Sequence, residues 1–133
     1  MSNKVIVFAA VFGMLAVILG AFGAHGLKEV LSVQQLTSFE TGVKYQMYHS
    51  LMLLFVAMND HISQKRKKVI LYLISSGVIL FSGSIYLLST REISGIDIRS
   101  FGFITPLGGV LFIAAWAVLL ASAMAGNHKI HKN

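Results

Sequence analysis

Three long runs without a charged residue constrain this chain more than any other feature. They cover residues 5–24, 69–88 and 101–125, and none contains Asp, Glu, Lys or Arg. A membrane-spanning helix needs about 20 consecutive apolar residues. Only 12% of the 133 residues are charged, whereas soluble domains carry roughly 25%. A lipid bilayer is therefore predicted to be the solvent for much of the chain.

A fourth, shorter uncharged run follows the first and suggests one more span. Residues 45–58 are too few to cross a bilayer, so the helix is expected to start near Phe39 or Thr41 and to include Lys44. A lysine near a helix end can extend its ammonium group to the interface. The predicted fold is an all-α membrane protein whose single domain, residues 1–133, is a bundle of four transmembrane helices at about residues 5–25, 40–59, 69–89 and 104–125.

The basic residues predict how such a bundle is oriented. The side with both termini and the middle loop has one acid, Asp60, and seven basic residues: Lys4, Lys65, Arg66, Lys67, Lys68, Lys129 and Lys132. The opposite side has four basic and four acidic residues, so the net charge of +6 lies on the first side. Lys and Arg near span ends mark the cytoplasmic side. We therefore expect cytoplasmic N- and C-termini in the bacterial cell membrane.

The basic run at residues 65–68 has two interpretations. It is an orientation signal beside lipid headgroups, or a patch for nucleic acid. Nucleic-acid surfaces usually combine cations with aromatic side chains, and this run has none between its cations. The orientation signal is favoured, and no nucleic-acid partner is expected.

Small residues recur at four-residue spacing in the first predicted span. The spacing links Ala9 to Gly13, and Ala16 to Gly20 and Ala24. Small residues let helices approach closely in lipid. The pattern fits contact inside one chain and also homo-oligomerisation, so a homo-oligomer or another membrane protein stays open as a partner beside the lipid bilayer.

Four motifs carry a resemblance to a known family. They are GAFGAHGL at 20–27, TG at 41–42 followed by YQxxH at 45–49, FSGSIY at 81–86, and TPLGG at 105–109 followed by Trp116. Together they resemble the small bacterial inner-membrane proteins of domain of unknown function family 423, also called uncharacterised protein family 0382. The resemblance covers nearly the whole chain and implies a multi-pass membrane protein. It assigns no catalytic, cofactor-binding or ligand-binding residue.

The second predicted span contains the main candidate site. Polar groups at membrane depth are functional candidates because lipid makes them costly. If this span ends at residue 59, His49 lies roughly 15 Å inside the membrane, with Tyr45 and Gln46 beside it. These three residues predict a proton relay or a pocket for a small polar ligand. The alternative is a structural network in which a neutral His49 bonds a serine of the third span: Ser75, Ser76 or Ser82.

Two further candidates lie at the outer end. His25 is either a gate or binding residue, or a helix-end residue with Gly26 closing the helix. The segment from Thr105 to Gly109 is either an anion site at a helix N-terminus or a plain helix start, with Thr105 as the cap before Pro106. His25 and His49 differ in depth by roughly 15 Å, so no shared metal site and no cofactor are predicted.

Enzyme signatures are absent from the sequence. It has no phosphate-binding glycine loop, no HExxH and no serine–histidine–acid set, and its five acids are all expected in loops. We predict a non-enzymatic membrane protein with a structural or accessory role. The alternative is a small transporter or channel that uses the polar face of the second span. A hydrated cavity reaching His49 would favour transport, whereas a closed bundle would favour the structural role.

Overall fold

The computed structural model describes the backbone of residues 1–131 and the side chains of residues 1–126, and this part of the chain is helical throughout, with short connections. Its α-helices are α1 (Ser2–His25), α2 (Val33–Met58), α3 (Gln64–Gly77), α4 (Ser84–Ser89), α5 (Arg91–Ser94) and α6 (Ile104–His131). A π-helical segment, Val78–Gly83, joins α3 to α4 without interruption. Short 3₁₀ turns lie at Leu27–Glu29 and Arg99–Phe101.

Three helical stretches are long and apolar enough to cross a membrane. They are Ser2–Glu29, Gln64–Ser89 and Arg99–Gly126, and they coincide with the first, third and fourth predicted spans. The all-helical fold is thereby confirmed for the described residues, with three candidate membrane spans. Helix α2 has 26 residues, but the polar groups along it make it less apolar than the other three.

Helix α2 begins earlier than the sequence prediction near Phe39 or Thr41. Ser32 Oγ accepts a hydrogen bond from the Gln35 backbone N–H at 3.1 Å, and Gln35 Oε1 accepts one from the Ser32 backbone N–H at 3.0 Å. This reciprocal capping box satisfies two backbone donors and fixes the helix start at Val33. Glu40, expected in a loop, therefore lies in α2, where its side chain is exposed.

Helix α6 begins where its span was predicted to begin, at about residue 104, and thus two residues before Pro106, where a cap at Thr105 would have started it. The first helical residue is Ile104, so Pro106 lies in the first turn, where its missing N–H breaks no helical hydrogen bond. Thr105 does not act as the predicted cap. Its Oγ1 instead makes a hydrogen bond of 2.5 Å with Ser84 Oγ of α4. The hydroxyl thus joins two helices.

Helices α1 and α2 pack against each other through the small residues of α1. A Cβ at Gly13 would lie 2.9 Å from Ser50 Oγ, and one at Gly20 would lie 3.4 Å from Val43 Cγ1. Ala9 and Ala16 are buried, but Ala24 is exposed and Gly23 is buried instead. The predicted stripe therefore forms a contact inside the chain, with its last member displaced by one residue.

The continuous helix Gln64–Ser89 packs closely on α6. A Cβ at Gly77 would lie 2.6 Å from the Phe112 ring, and one at Gly108 would collide with the backbone of Phe81 in the π-helical segment. Glycine on each helix removes the side chain that would otherwise hold the two backbones apart.

The apolar core draws on all four long helical segments. Val5 of α1, Leu53 of α2, Ile74 of α3 and Ala115 of α6 are fully buried and belong to one cluster. Large apolar side chains on the outer faces are exposed, among them Val17, Phe55, Ile79 and Ile113. Such a surface would be unfavourable in water and is suited to lipid.

Candidate functional site

Gln46 joins three helices at the centre of the candidate site. Its side chain is buried. Nε2 donates to the Phe12 carbonyl of α1 at 2.8 Å, and Oε1 accepts from the Tyr86 hydroxyl of α4 at 2.7 Å. The amide thus uses both a donor and the acceptor in contacts with other helices.

Two serines make the same kind of contact. Ser50 was missed as a member of the site, and Ser82 was predicted only as a possible partner of His49. Ser50 Oγ donates to the Ala9 carbonyl at 2.6 Å, and Ser82 Oγ donates to the Gly42 carbonyl at 2.7 Å. Each bond reaches a main-chain oxygen of a neighbouring helix. Ser50 can approach α1 because Gly13 has no side chain there. The sequence signal that could have identified Ser50 was the stripe of small residues on α1, which lets the polar helix α2 pack closely against it.

His49 is bonded through both ring nitrogens, but not to the predicted serines. Trp116 Nε1 lies 3.1 Å from His49 Nε2, and His49 Nδ1 lies 2.7 Å from the Tyr45 carbonyl. An indole N–H can only donate, so Nε2 must be the acceptor and Nδ1 must carry the proton. The ring also stacks on Phe112, with centroids 3.7 Å apart and planes 11° apart. This arrangement holds a neutral imidazole, and a proton on Nε2 would break the tryptophan bond.

Trp116, which the sequence showed only as part of the last motif, makes a specific contact between helices. Its ring is half-exposed on the outside of the bundle, while its N–H is directed to His49. The pair therefore joins α2 to α6. Its members are 67 positions apart, and no local pattern relates them.

The other sequence-predicted residues lie apart from this network. The Tyr45 side chain is 41% exposed, and its carbonyl rather than its hydroxyl contacts His49. His25 is exposed at the end of α1. Gly26 has φ −67° and continues the helical hydrogen bonding to Phe22, so it does not close α1 in the left-handed conformation. Within the described residues, no group of three His, Cys, Asp or Glu is arranged to hold a metal ion.

Thr105 borders a cavity of about 610 Å³ at the predicted outer end of the bundle. The cavity lies between the start of α2, helices α4 and α5, and the start of α6. Ser89 and Arg91 are among its lining residues, but Gln46 and His49 are not. The predicted site is thus divided between a closed polar network and a separate open cavity.

An ion pair lies in the loop beside this cavity. Arg99 Nη2 is 2.8 Å from Asp97 Oδ2, and both side chains are largely exposed. Hydrogen bonds from Arg99 lower the pKa of Asp97 to about 2, and the same contact raises the pKa of the Arg99 guanidinium. The carboxylate therefore stays charged at any physiological pH, and the Asp97 and Arg99 side chains are paired with each other.

Lys67 is buried, although its sequence context predicted a cation beside the lipid headgroups. It was grouped with the basic loop residues 65–68, but these lie in the first turns of α3, and Lys67 is only 1% exposed. Its Nζ donates to Ser2 Oγ at 3.0 Å and to the Ala57 carbonyl at 2.9 Å. It therefore ties together the start of α1, the end of α2 and the start of α3. Of the other predicted cytoplasmic cations, Lys132 and the Lys129 side chain lie outside the described residues.

Apolar helices joined by buried interhelical hydrogen bonds define the class of this molecule as a multi-pass helical membrane protein. The family model described as "Protein of unknown function (DUF423)" matches residues 19–109. The chain belongs to this family, whose members are also named UPF0382 membrane proteins, and the resemblance carried by the four motifs is confirmed.

Relatives from distant bacteria agree with this assignment. The UPF0382 membrane protein YwdK of Bacillus subtilis (strain 168) is 43% identical over 121 residues, which cover 90% of this chain and 94% of that protein. The UPF0382 inner membrane protein YgdD of Escherichia coli (strain K12) is 36% identical over 127 residues, covering 92% and 91%. No solved structure matches the chain. Because these relatives are named membrane and inner membrane proteins, the protein is located in the bacterial cell membrane.

Proposed function

We propose that the chain crosses the membrane four times, with both termini in the cytoplasm, and that it has a non-enzymatic structural or accessory role. The span in this proposal that is not among the three long apolar stretches is α2, the second along the chain. It runs antiparallel to α1, since Gly23 is close to Phe39 at one end and Gly13 is close to Ser50 further along.

The extent of this contact supports a full crossing by α2. Lys67 holds Ser2 of α1 near Ala57 of α2, and from Phe39 to Ala57 a helix rises about 27 Å at 1.5 Å per residue. That distance approaches the roughly 30 Å of a bilayer core. A helix lying this far along a spanning neighbour would cross most of the same hydrocarbon layer.

One observation carries the non-enzymatic role: the buried polar side chains of α2 are bonded within the protein. Gln46, His49 and Ser50 are each at most 3% exposed, and each is hydrogen-bonded to a helix other than α2. A transport path needs polar groups that face water or a passing solute. These groups instead hold the helices together, which favours a closed scaffold over the alternative of a transporter or channel.

Topology can be tested because the chain has no cysteine. Single cysteines at the exposed positions Val30 and Ile96 should react with a membrane-impermeant thiol reagent in intact cells. His61→Cys, also at an exposed position, should react only after the cells are made permeable. Labelling of His61→Cys from outside, or protection of Val30→Cys, would contradict four spans with cytoplasmic ends.

The closed scaffold can be tested with two matched serine substitutions. In native membranes, Ser50→Cys should resist a small water-soluble thiol reagent applied to both sides. Ser38→Cys, at the exposed edge of the outer cavity, should react. Unfolding in denaturant should make Ser50→Cys reactive and so control for its intrinsic chemistry. Rapid labelling of Ser50→Cys in the folded protein would favour the transporter alternative.

A further inference from the structure

The outer cavity has the size of a small-molecule site. Its volume of about 610 Å³ lies within the roughly 300–1,000 Å³ typical of ligand pockets. Helices α2, α4, α5 and α6 all contribute to its wall, so its shape depends on the folded bundle. Apolar Ile85 and Leu88 line it together with hydroxyl, amide and charged side chains.

A buried hydroxyl in the cavity wall lacks a partner in the described part of the chain. Ser89 is 3% exposed, and its Oγ makes no hydrogen bond there. Leaving a buried polar group unsatisfied is unfavourable. Because Ser89 lines the cavity, rotation of its side chain would let a polar ligand there supply the missing partner.

Two opposite charges also line the cavity without pairing with each other. Arg91 Nη1 donates to the Leu88 carbonyl at 2.7 Å, which orients the guanidinium and leaves other N–H groups for a ligand. Glu92 is the neighbouring lining residue. The ion pair found among the described side chains is instead Asp97–Arg99.

We propose that this cavity binds a small zwitterion. Its oxyanion would accept hydrogen bonds from Arg91, its ammonium group would donate to the Glu92 carboxylate, and Ser89 would bond the linking polar atoms. Arginine suits phosphate and carboxylate groups because its N–H groups form a planar fork. The proposed chemistry occurs in a phosphoethanolamine lipid headgroup and in a free amino-acid-like solute. Both could reach a cavity at the end of a membrane bundle.

Binding to the purified full-length protein in detergent tests this proposal. The probes are lysophosphatidylethanolamine and free O-phosphoethanolamine, with lysophosphatidylglycerol as a phosphate lipid that lacks the ammonium group. The ethanolamine lipid should bind at least about tenfold more tightly than the glycerol lipid, as expected for a hydrogen bond between charged groups. Similar affinity of the two ethanolamine probes would identify a soluble ligand, whereas binding of the lipid alone would identify a headgroup. Equal affinity for both lipids would overturn the proposal.

Charge-neutralising variants test which residues carry the binding. Arg91→Gln and Glu92→Gln should each weaken ethanolamine-lipid binding by about tenfold or more. The matched controls Lys28→Gln and Glu29→Gln remove exposed charges at the same predicted end, outside the cavity, and should stay within about twofold. Unchanged binding in both cavity variants would overturn the proposal.

A third variant keeps the test decisive if a charge variant unfolds. Ser38 is an exposed residue of the cavity wall, so Ser38→Trp should obstruct the space while leaving both charges in place. It should abolish measurable binding with little change in the unfolding temperature of the ligand-free protein. Binding as tight as in the wild type would show that the ligand lies elsewhere.

Discussion

The two ends of the bundle differ in whether a buried polar group has hydrogen-bond partners. At one end, which we call the closed end, Lys67 is buried and its ammonium group bonds Ser2 and Ala57. At the other, the open end, Ser89 is buried beside a cavity and its hydroxyl has no partner in the described part of the chain. Burying an ammonium group without partners would cost more free energy than burying a hydroxyl. The ammonium group at the closed end has hydrogen-bond partners, whereas the hydroxyl at the open end has none among the described residues.

This difference separates structural from functional polar residues. A buried charge without partners is strongly unfavourable, so the contacts of Lys67 are needed for folding. An unpartnered hydroxyl is a smaller penalty, which a protein can retain where a ligand will satisfy it. The network around Gln46 and His49 resembles the closed end in this respect. Ser75 Oγ is also buried without a partner in the described part of the chain, but Ser75 does not line the cavity. We therefore propose a structural role for the polar groups in the middle and at the closed end, and ligand binding at the open end.

The largest effect is expected from the exposed charges around the closed end. Replacing Lys65, Arg66 and Lys68 with glutamine leaves Lys67 intact and gives four basic residues on each predicted side of the membrane. The orientation signal should then disappear, and a C-terminal reporter should show mixed or inverted topology. Packing should persist because these three side chains are not in the buried core.

Removing basic residues from the other predicted side provides the control for that experiment. Lys28→Gln with Lys44→Gln increases the asymmetry, so the reporter should stay cytoplasmic. If the triple variant also inserts like the wild type, the three charges do not set orientation, and the closed end would need another explanation for its basic character.

The next effect in size concerns Lys67 itself. Lys67→Ala removes two hydrogen bonds from a charged donor and leaves a cavity, so we expect the free energy of unfolding to fall by about 2–4 kcal/mol. Lys65→Ala, the matched control in the same turn, should change it by less than about 0.5 kcal/mol. Unfolding in detergent measures both. A Lys67→Ala variant as stable as the control would show that the ammonium group is in water.

Much of the fold could be predicted because the exclusion of charged side chains from lipid acts on each residue separately. Lipid excludes charge, so the runs at 5–24, 69–88 and 101–125 indicate three helices without knowledge of their contacts. The start of α2 was missed because its capping box, Ser32 and Gln35, lies beyond the apolar run. That motif was readable in the sequence, whereas the π-helical segment gave no comparable pattern.

The site was less predictable because its bonds depend on how the helices are rotated. Spacing gave a predicted depth for His49, which stays a prediction, but it could not select Trp116 over the serines of the third span. Lys67 did carry a readable signal. It shares one helical face with Ile70, Leu71 and Ile74, which are all buried, and this spacing separates it from the other cations of its run.

A moderate effect is expected where the network resembles the closed end. His49→Ala removes the bonds to Trp116 and to the Tyr45 carbonyl and leaves a cavity beneath Phe112. Interhelical hydrogen bonds in membranes contribute about 0.6 kcal/mol on average and up to about 1.7. With the cavity, we expect a loss on the order of 1–3 kcal/mol in the free energy of unfolding.

Two variants divide this loss between hydrogen bonding and packing. His49→Gln keeps a donor and an acceptor and should recover much of the stability. Trp116→Phe removes only the indole donor and part of its ring, so it should lose less than His49→Ala. If Trp116→Phe matches the wild type while His49→Ala is strongly destabilised, ring stacking on Phe112 rather than the tryptophan bond holds the imidazole.

The smallest effect should come from the open end, where Ser89→Ala compares directly with Ser50→Ala. Ser50→Ala removes the bond to the Ala9 carbonyl and should lower the free energy of unfolding by about 0.6–1.7 kcal/mol. Ser89 has no bond to lose in the described structure, so its substitution should change the unfolding free energy of the ligand-free protein by less than about 0.5 kcal/mol, or even raise it. When lysophosphatidylethanolamine is present, Ser89→Ala should lose more stability than Ser50→Ala, because of these two serines only Ser89 lines the proposed ligand cavity. Equal losses in the ligand-free variants would mean that Ser89 has a structural partner, and the contrast between the two ends would then fail.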